Sequence, residues 1–105
     1  MNKVIRDGKV AVLYSPGFGA GWSTWLYNDA TRLKSIFEPR LVEAVERNAS
    51  HEEIAVIAKE TLGENFFTGG VEDLTICWIP VGTCFDIDEY QGSESIRVCP
   101  LRYIA

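Results

Sequence analysis

Histidine occurs once in this 105-residue chain, at His51, and cysteine three times, at Cys77, Cys84 and Cys99. A lone imidazole beside Glu52 and Glu53, with no nucleophile near it in sequence, offers no recognisable catalytic dyad or triad, so His51 reads as an exposed residue of a helix's first turn. Three thiols cannot all pair within one chain, and their spacings fit no Cys-x-x-Cys zinc pattern. Free, buried thiols in a reducing cytoplasm are expected, since small secreted domains carry more cysteines and an even number. Long apolar runs are also missing. Val10 to Tyr14, one of the longest at five residues, falls far short of the roughly 20 that span a bilayer. Residues Met1 to Gly8 have no apolar core of signal-peptide length behind their charges. Basic residues are scarce, ten against fifteen acidic ones for a net charge of -5, which excludes the dense cation array that wraps extended nucleic acid.

What is present suits one compact domain, 1–105, with 47% hydrophobic and 24% charged residues. Asp7-Gly8 between Lys3 to Arg6 and Lys9 to Tyr14 signals a type I′ hairpin. Ser23 is one candidate helix start and Asn28 or Asp29 another, leading into Ala30 to Phe37. Pro39 suits the first turn of the next helix, with an apolar stripe of Leu41, Val42, Ala44 and Val45. Ser50 and Glu53 form a capping box for a third helix, which Gly63 ends. Leu74 to Ile79, Thr83 to Tyr90 and Ser95 to Val98 are rich in β-branched and aromatic residues, with Pro80-Val-Gly82 and Gln91-Gly-Ser93 as turns. The expected fold class is α+β: an antiparallel sheet, made of the N-terminal hairpin plus a C-terminal three-strand meander, with about three helices packed on one face.

The densest signal is Ser15-Pro-Gly-Phe-Gly-Ala-Gly-Trp-Ser-Thr-Trp25, alternate glycines and two tryptophans directly after a strand. Backbone N–H groups of Gly17, Gly19 and Gly21 could form a nest for phosphate or carboxylate, helped by the following helix start. Trp22 and Trp25, with Tyr14 or Phe18, would offer faces for stacking, Ser23 or Thr24 would donate hydroxyls, and Ser15 opens the binding segment. Neither the Gly-x-Gly-x-x-Gly fingerprint nor a Gly-Lys-Ser phosphate loop is present. The competing reading packs Trp22 and Trp25, three residues apart, into the core. Arg6, Lys9, Arg32, Lys34 and Arg40 are the cations near this loop. Phe66-Phe67-Thr-Gly-Gly70 reads as a hinge whose rings plug the core, or as a second wall facing the first loop. Asp86, Asp88 and Tyr90 share a strand face, which usually is solvated and carries no dedicated cation motif.

Val12 to Trp25, and again Trp78-Ile-Pro-Val-Gly-Thr-Cys-Phe-Asp-Ile-Asp-Glu-Tyr90, resemble small uncharacterised bacteriophage and prophage proteins. That resemblance implies a host-takeover or counter-defence context and transfers no catalytic or binding residue. The resulting expectation is a non-enzymatic, cytoplasmic, homo-oligomeric protein holding a small anionic, nucleotide-derived ligand at Ser15 to Trp25. No cofactor, metal or membrane partner is expected. Inhibition of a host protein through the same aromatics is the second reading, and a small hydrolase or nucleotide-modifying enzyme the third.

Overall fold

The structure, a computed structural model, describes residues 2–17, 21–24, 26, 29–66, 68–98 and 102–105. Strands β1 (Ile5–Arg6) and β2 (Lys9–Tyr14) pair antiparallel. Asp7 and Gly8 between them have φ of 52° and 75°, the paired left-handed conformation that a type I′ turn demands. β2 is the hub of the molecule. Val10, Ala11, Val12 and Leu13 are all fully buried, as a continuous apolar run requires when both faces of a strand are covered.

Two cores meet at β2. Ala11 and Leu13 pack with Leu41, Val42, Ile54 and Ala58, whereas Val10 and Val12 pack with Ile36, Phe37, Phe85 and Tyr103. Alternation along the strand sends successive side chains to opposite faces. The helical segments are α1 (Asp29–Phe37), α2 (Pro39–Glu46) and α3 (His51–Leu62). The first two form one bent rod of 18 residues that breaks at Glu38, where ψ is 116°. Pro39 causes the bend, because its ring excludes the α conformation from the residue before it. Ser50 caps α3 by accepting the Glu53 N–H at 3.1 Å, and Gly63 closes it with φ 121°. No helix starts at Ser23; residues 22–24 form a bend and a turn, and the rod begins at Asp29. A 3-10 turn, Val71–Asp73, leads into β3 (Thr75–Pro80), followed by β4 (Cys84–Tyr90), β5 (Ser93–Val98) and β6 (Tyr103–Ile104).

The expected single sheet with about three helices on one face does not form. The described residues form two antiparallel sheets of three strands, ordered β1-β2-β3 and β5-β4-β6. The helical part is two bodies, the bent α1–α2 rod and α3, beside the 3-10 turn. Nor do the helices share one face: Leu41, Val42, Ile54 and Ala58 of α2 and α3 cover one side of β2, while Ile36 and Phe37 of α1 join the core on the other. The physical reason lies in β3. It leaves the anticipated meander to pair with β2, Ile79 opposite Val10 and Cys77 opposite Val12, and the link from Pro80 to Thr83 carries the chain into the second sheet. β4 alternates buried Phe85 and Ile87 with partly exposed Asp86 and Asp88, so it serves as an outer sheet over the Val10 and Val12 face. Gln91 and Gly92, at φ 51° and 85°, make the β4–β5 connection a second hairpin turn with paired positive φ. Among the described residues no helix is long and apolar enough to cross a membrane.

Candidate functional site

Glu94 organises the loop that the sequence singles out. It lies on β5 two residues before Ile96, on the same inward face, and is only 1% exposed. A carboxylate taken that far from water needs hydrogen-bond donors. The loop supplies them. Ser15 donates its N–H to Oε1 at 3.0 Å, while Trp22 N–H at 2.8 Å, Thr24 N–H at 3.1 Å and Thr24 Oγ1 at 2.6 Å all donate to Oε2. In return Glu94 gives its own N–H to the Ser15 carbonyl at 2.8 Å, and Ser93 Oγ donates to the Pro16 carbonyl at 2.6 Å. Ser15, Trp22 and Thr24 thus close on a carboxylate that belongs to the chain itself, and neither Gly17 nor Gly21 is among its donors.

The remaining site candidates follow from this arrangement. Trp22 is buried, its Nε1 donating to the Ser35 carbonyl at 2.9 Å and its ring meeting Phe66 edge-on at 4.8 Å. Ser15 is buried and donates its Oγ to the Gly70 carbonyl at 3.0 Å. Gly21 is buried with φ 81°, and Gly17 is half-buried against Asp73. Ser23 is buried, and its Oγ has no hydrogen-bond partner among the described residues. Phe18, Gly19 and Trp25 lie outside the described residues, as do Phe67 and Cys99. Phe66 plugs the core beside Trp22, while Gly70 forms the wall facing the first loop. That wall touches its counterpart, because a Cβ on Gly70 would lie 2.1 Å from the Gly21 carbonyl oxygen.

Among the described residues of the loop, Thr24 lines an open space. A cleft of about 330 Å³ is lined by Thr24 and Arg32, by Asp86 to Glu89 of β4, and by Arg102 and Tyr103. A hollow of about 400 Å³ shares Arg32, Arg102 and Tyr103 and adds Asp29 and Leu33. Arg32 is mostly enclosed: one guanidinium nitrogen is held by the Leu26 carbonyl, another lies 4.0 Å from the exposed Asp29 carboxylate, and its Nε is buried with no hydrogen-bond partner among the described residues. The Arg102 guanidinium stands 5.9 Å from the centre of the Tyr103 ring. Of the five cations expected near the loop, Arg32 is the one that lines this cleft; Arg6 is engaged by Glu46, and Lys34 and Arg40 line a separate hollow. Asp88 is bridged by Arg97 at 2.9 Å, and the Asp86 carboxylate accepts the Ile87 N–H at 2.8 Å. Among the described residues no group of three metal-ligating side chains comes together.

No family model, curated protein or solved structure matches this chain.

The chemistry of the cleft is of mixed sign. Two guanidiniums suit an anionic group, which they can bind through paired N–H donors. Asp86 and Glu89 repel a polyanion and would instead accept hydrogen bonds from N–H or O–H groups. Burial pushes the Tyr103 phenol above its ordinary pKa; Arg102 pulls it partway back, and Asp86 and Asp29 add to the rise. Spectrophotometric titration should show a phenol ionising above the ordinary tyrosine range, and Tyr103→Phe should remove that late step. Because the folded-state value is raised, the associated stability is complete below the unfolded value of about 10 and is lost as pH climbs through the folded value. Tyrosines ionising together would show that solvent reaches this phenol freely.

Arg102, Tyr103 and Glu94 escaped the reading of the sequence. Glu94 had a visible signature, a charge two residues from Ile96 on the core-facing side of a strand. Arg102 and Tyr103 had none, since their place beside Arg32 depends on β6 pairing with β4.

Proposed function

We propose that this protein is a non-enzymatic binding protein for a small molecule that carries both an anionic group and hydrogen-bond donors, held in the cleft between Arg32 and Arg102. The observation that carries this reading is the enclosed Arg32, whose buried Nε lacks a partner among the described residues while Arg102 lines the same space. A guanidinium enclosed in this way is poorly hydrated, and an anion in the cleft would compensate its charge through the terminal nitrogens. Asp86 and Glu89 favour a ligand with donor groups as well, and a nucleotide-derived molecule offers a phosphate for the arginines and base or ribose donors for the carboxylates. Thr24, tied to Glu94, would set the cleft's edge. In this reading the Ser15 to Trp25 segment is the support of the site, with Thr24 as its contact. The resemblance to phage and prophage proteins would place such a binder in the bacterial cytoplasm, as a homo-oligomer that withholds a signal molecule from host defence.

Retention decides the matter. Purified protein incubated with mixed nucleotides, washed and then heated should release an unaltered molecule. Arg102→Ala should weaken that ligand by about 10- to 100-fold, the loss of a charge-assisted hydrogen bond of roughly 1.5–3 kcal/mol, with unchanged thermal stability of the free protein. Release of a chemically altered molecule would make the protein an enzyme. Absence of any retained molecule or ligand-induced thermal shift would remove the proposal.

A further inference from the structure

We infer that two copies of this chain pair through the free edge of β3, antiparallel about a twofold axis at Cys77, to build one continuous six-stranded sheet. The hydrogen-bond parity of β3 leads there. Val81 donates its N–H to the Gly8 carbonyl, in register with the pairs Ile79 to Val10 and Cys77 to Val12. Odd-numbered residues of β3 therefore direct their backbone groups toward β2, and Ile76, Trp78 and Pro80 direct theirs to the opposite side. β3 is the end strand of its sheet, and among the described residues nothing pairs with the N–H and C=O of Ile76 or Trp78.

The ends of this open stretch are already closed. Pro80 has no N–H and its carbonyl accepts the Thr83 N–H at 3.1 Å, while Leu74 donates its N–H to the Val71 carbonyl at 3.3 Å. Four backbone groups remain, two donors and two acceptors.

A second copy is the occupant these groups fit. An axis perpendicular to the sheet keeps equivalent faces on the same side, so directly opposed residues must have the same parity, and some residue must face itself. Centring on Trp78 would set Ile76 against Pro80, which has no donor left. Centring on Cys77 sets Ile76 of each copy opposite Trp78 of the other. Each such pair exchanges two hydrogen bonds, and all four open groups of both chains are satisfied. The six residues Thr75 to Pro80 carry no charge, so identical strands meet without like-charge repulsion. No lysine, bulge or inward charge blunts this edge, the devices by which monomeric sheets discourage pairing. The interface is self-complementary, as a twofold contact must be.

This inference is independent of the ligand reading, and its test does not touch the cleft. In non-hydrogen-bonded antiparallel pairs the opposed Cα atoms lie about 4.5 Å apart, inside the roughly 4.4–6.8 Å that a disulfide spans. With Cys84 and Cys99 changed to serine, diamide as oxidant should link Cys77 to Cys77 and yield a covalent dimer; burial pushes the Cys77 thiol up, so the reaction is run at alkaline pH. Light scattering under reducing conditions should give twice the chain mass. Ile76→Pro deletes an N–H that β2 does not use, and should weaken the dimer by on the order of tenfold through two lost hydrogen bonds. If that variant fails to fold, the Cys77 cross-link decides alone. A monomer at every concentration, a dimer indifferent to Ile76→Pro in a folded variant, or no link through Cys77 would each overturn the inference.

Discussion

Glu94→Ala is expected to remove about 4 kcal/mol of stability, a large share of the roughly 5–15 kcal/mol that holds a domain of this size. The carboxylate is enclosed and receives three N–H groups and one hydroxyl. Truncation strands all of these donors in a space that water enters poorly, and a stranded buried donor costs about 1–3 kcal/mol. Glu94→Gln should cost less, about 2 kcal/mol, because its oxygen can keep the three donors on one side while its amide nitrogen opposes only the Ser15 N–H. The order Ala worse than Gln is the distinctive part, and urea unfolding measures it. Equal losses, or a loss for Glu94→Ala under about 1 kcal/mol, would mean that solvent replaces the carboxylate and that the loop does not depend on it. Because Thr24 is tethered by Glu94 and lines the cleft, both variants should also weaken the retained ligand.

Gly70→Ala should cost about 3 kcal/mol. The added carbon would sit 2.1 Å from the Gly21 carbonyl oxygen, 3.1 Å from its carbon and 3.2 Å from Ser15 Cβ. These are backbone atoms and a buried side chain, and the Gly21 peptide is fixed beside Trp22, whose N–H holds Glu94. No rotamer change relieves such a contact. Gly17→Ala is the comparison: its carbon would strike Asp73, with Oδ2 at 1.8 Å, Cγ at 2.4 Å and Cβ at 2.9 Å; that residue is exposed and its carboxylate can rotate away, which leaves a small shift of Cβ to absorb, so the loss should be smaller. A Gly70→Ala protein as stable as the parent would show that the two loops are not pressed together.

How far the sequence could be read depended on whether a feature was settled by neighbours along the chain. The Asp7-Gly8 turn, the Ser50 to Glu53 cap, the Gly63 stop and the Pro39 helix start are local, and each sits within a residue or two of its expected place. The pairing of β3 was not local. A strand with turns on both sides can join either neighbour, and β2, apolar on both faces and lacking a partner on its open edge, took it from the meander. The loop shows the same division. Its glycine amides were expected to hold a ligand's anion, whereas the described donors are Ser15, Trp22 and Thr24 and the carboxylate they hold comes from Glu94, 70 residues after Thr24.

The amino-acid order by itself therefore determined the Asp7-Gly8 turn, the Ser50 cap, the Gly63 stop and the Pro39 helix start, because dihedral preference and capping act over a few residues. The tertiary structure alone decided that the described strands form two sheets, that Glu94 takes the N–H groups of Ser15, Trp22 and Thr24, and that Arg32, Arg102 and Tyr103 share a cleft. Those outcomes depend on which distant segments bury one another's apolar faces, a competition among whole packings that no short window of residues contains.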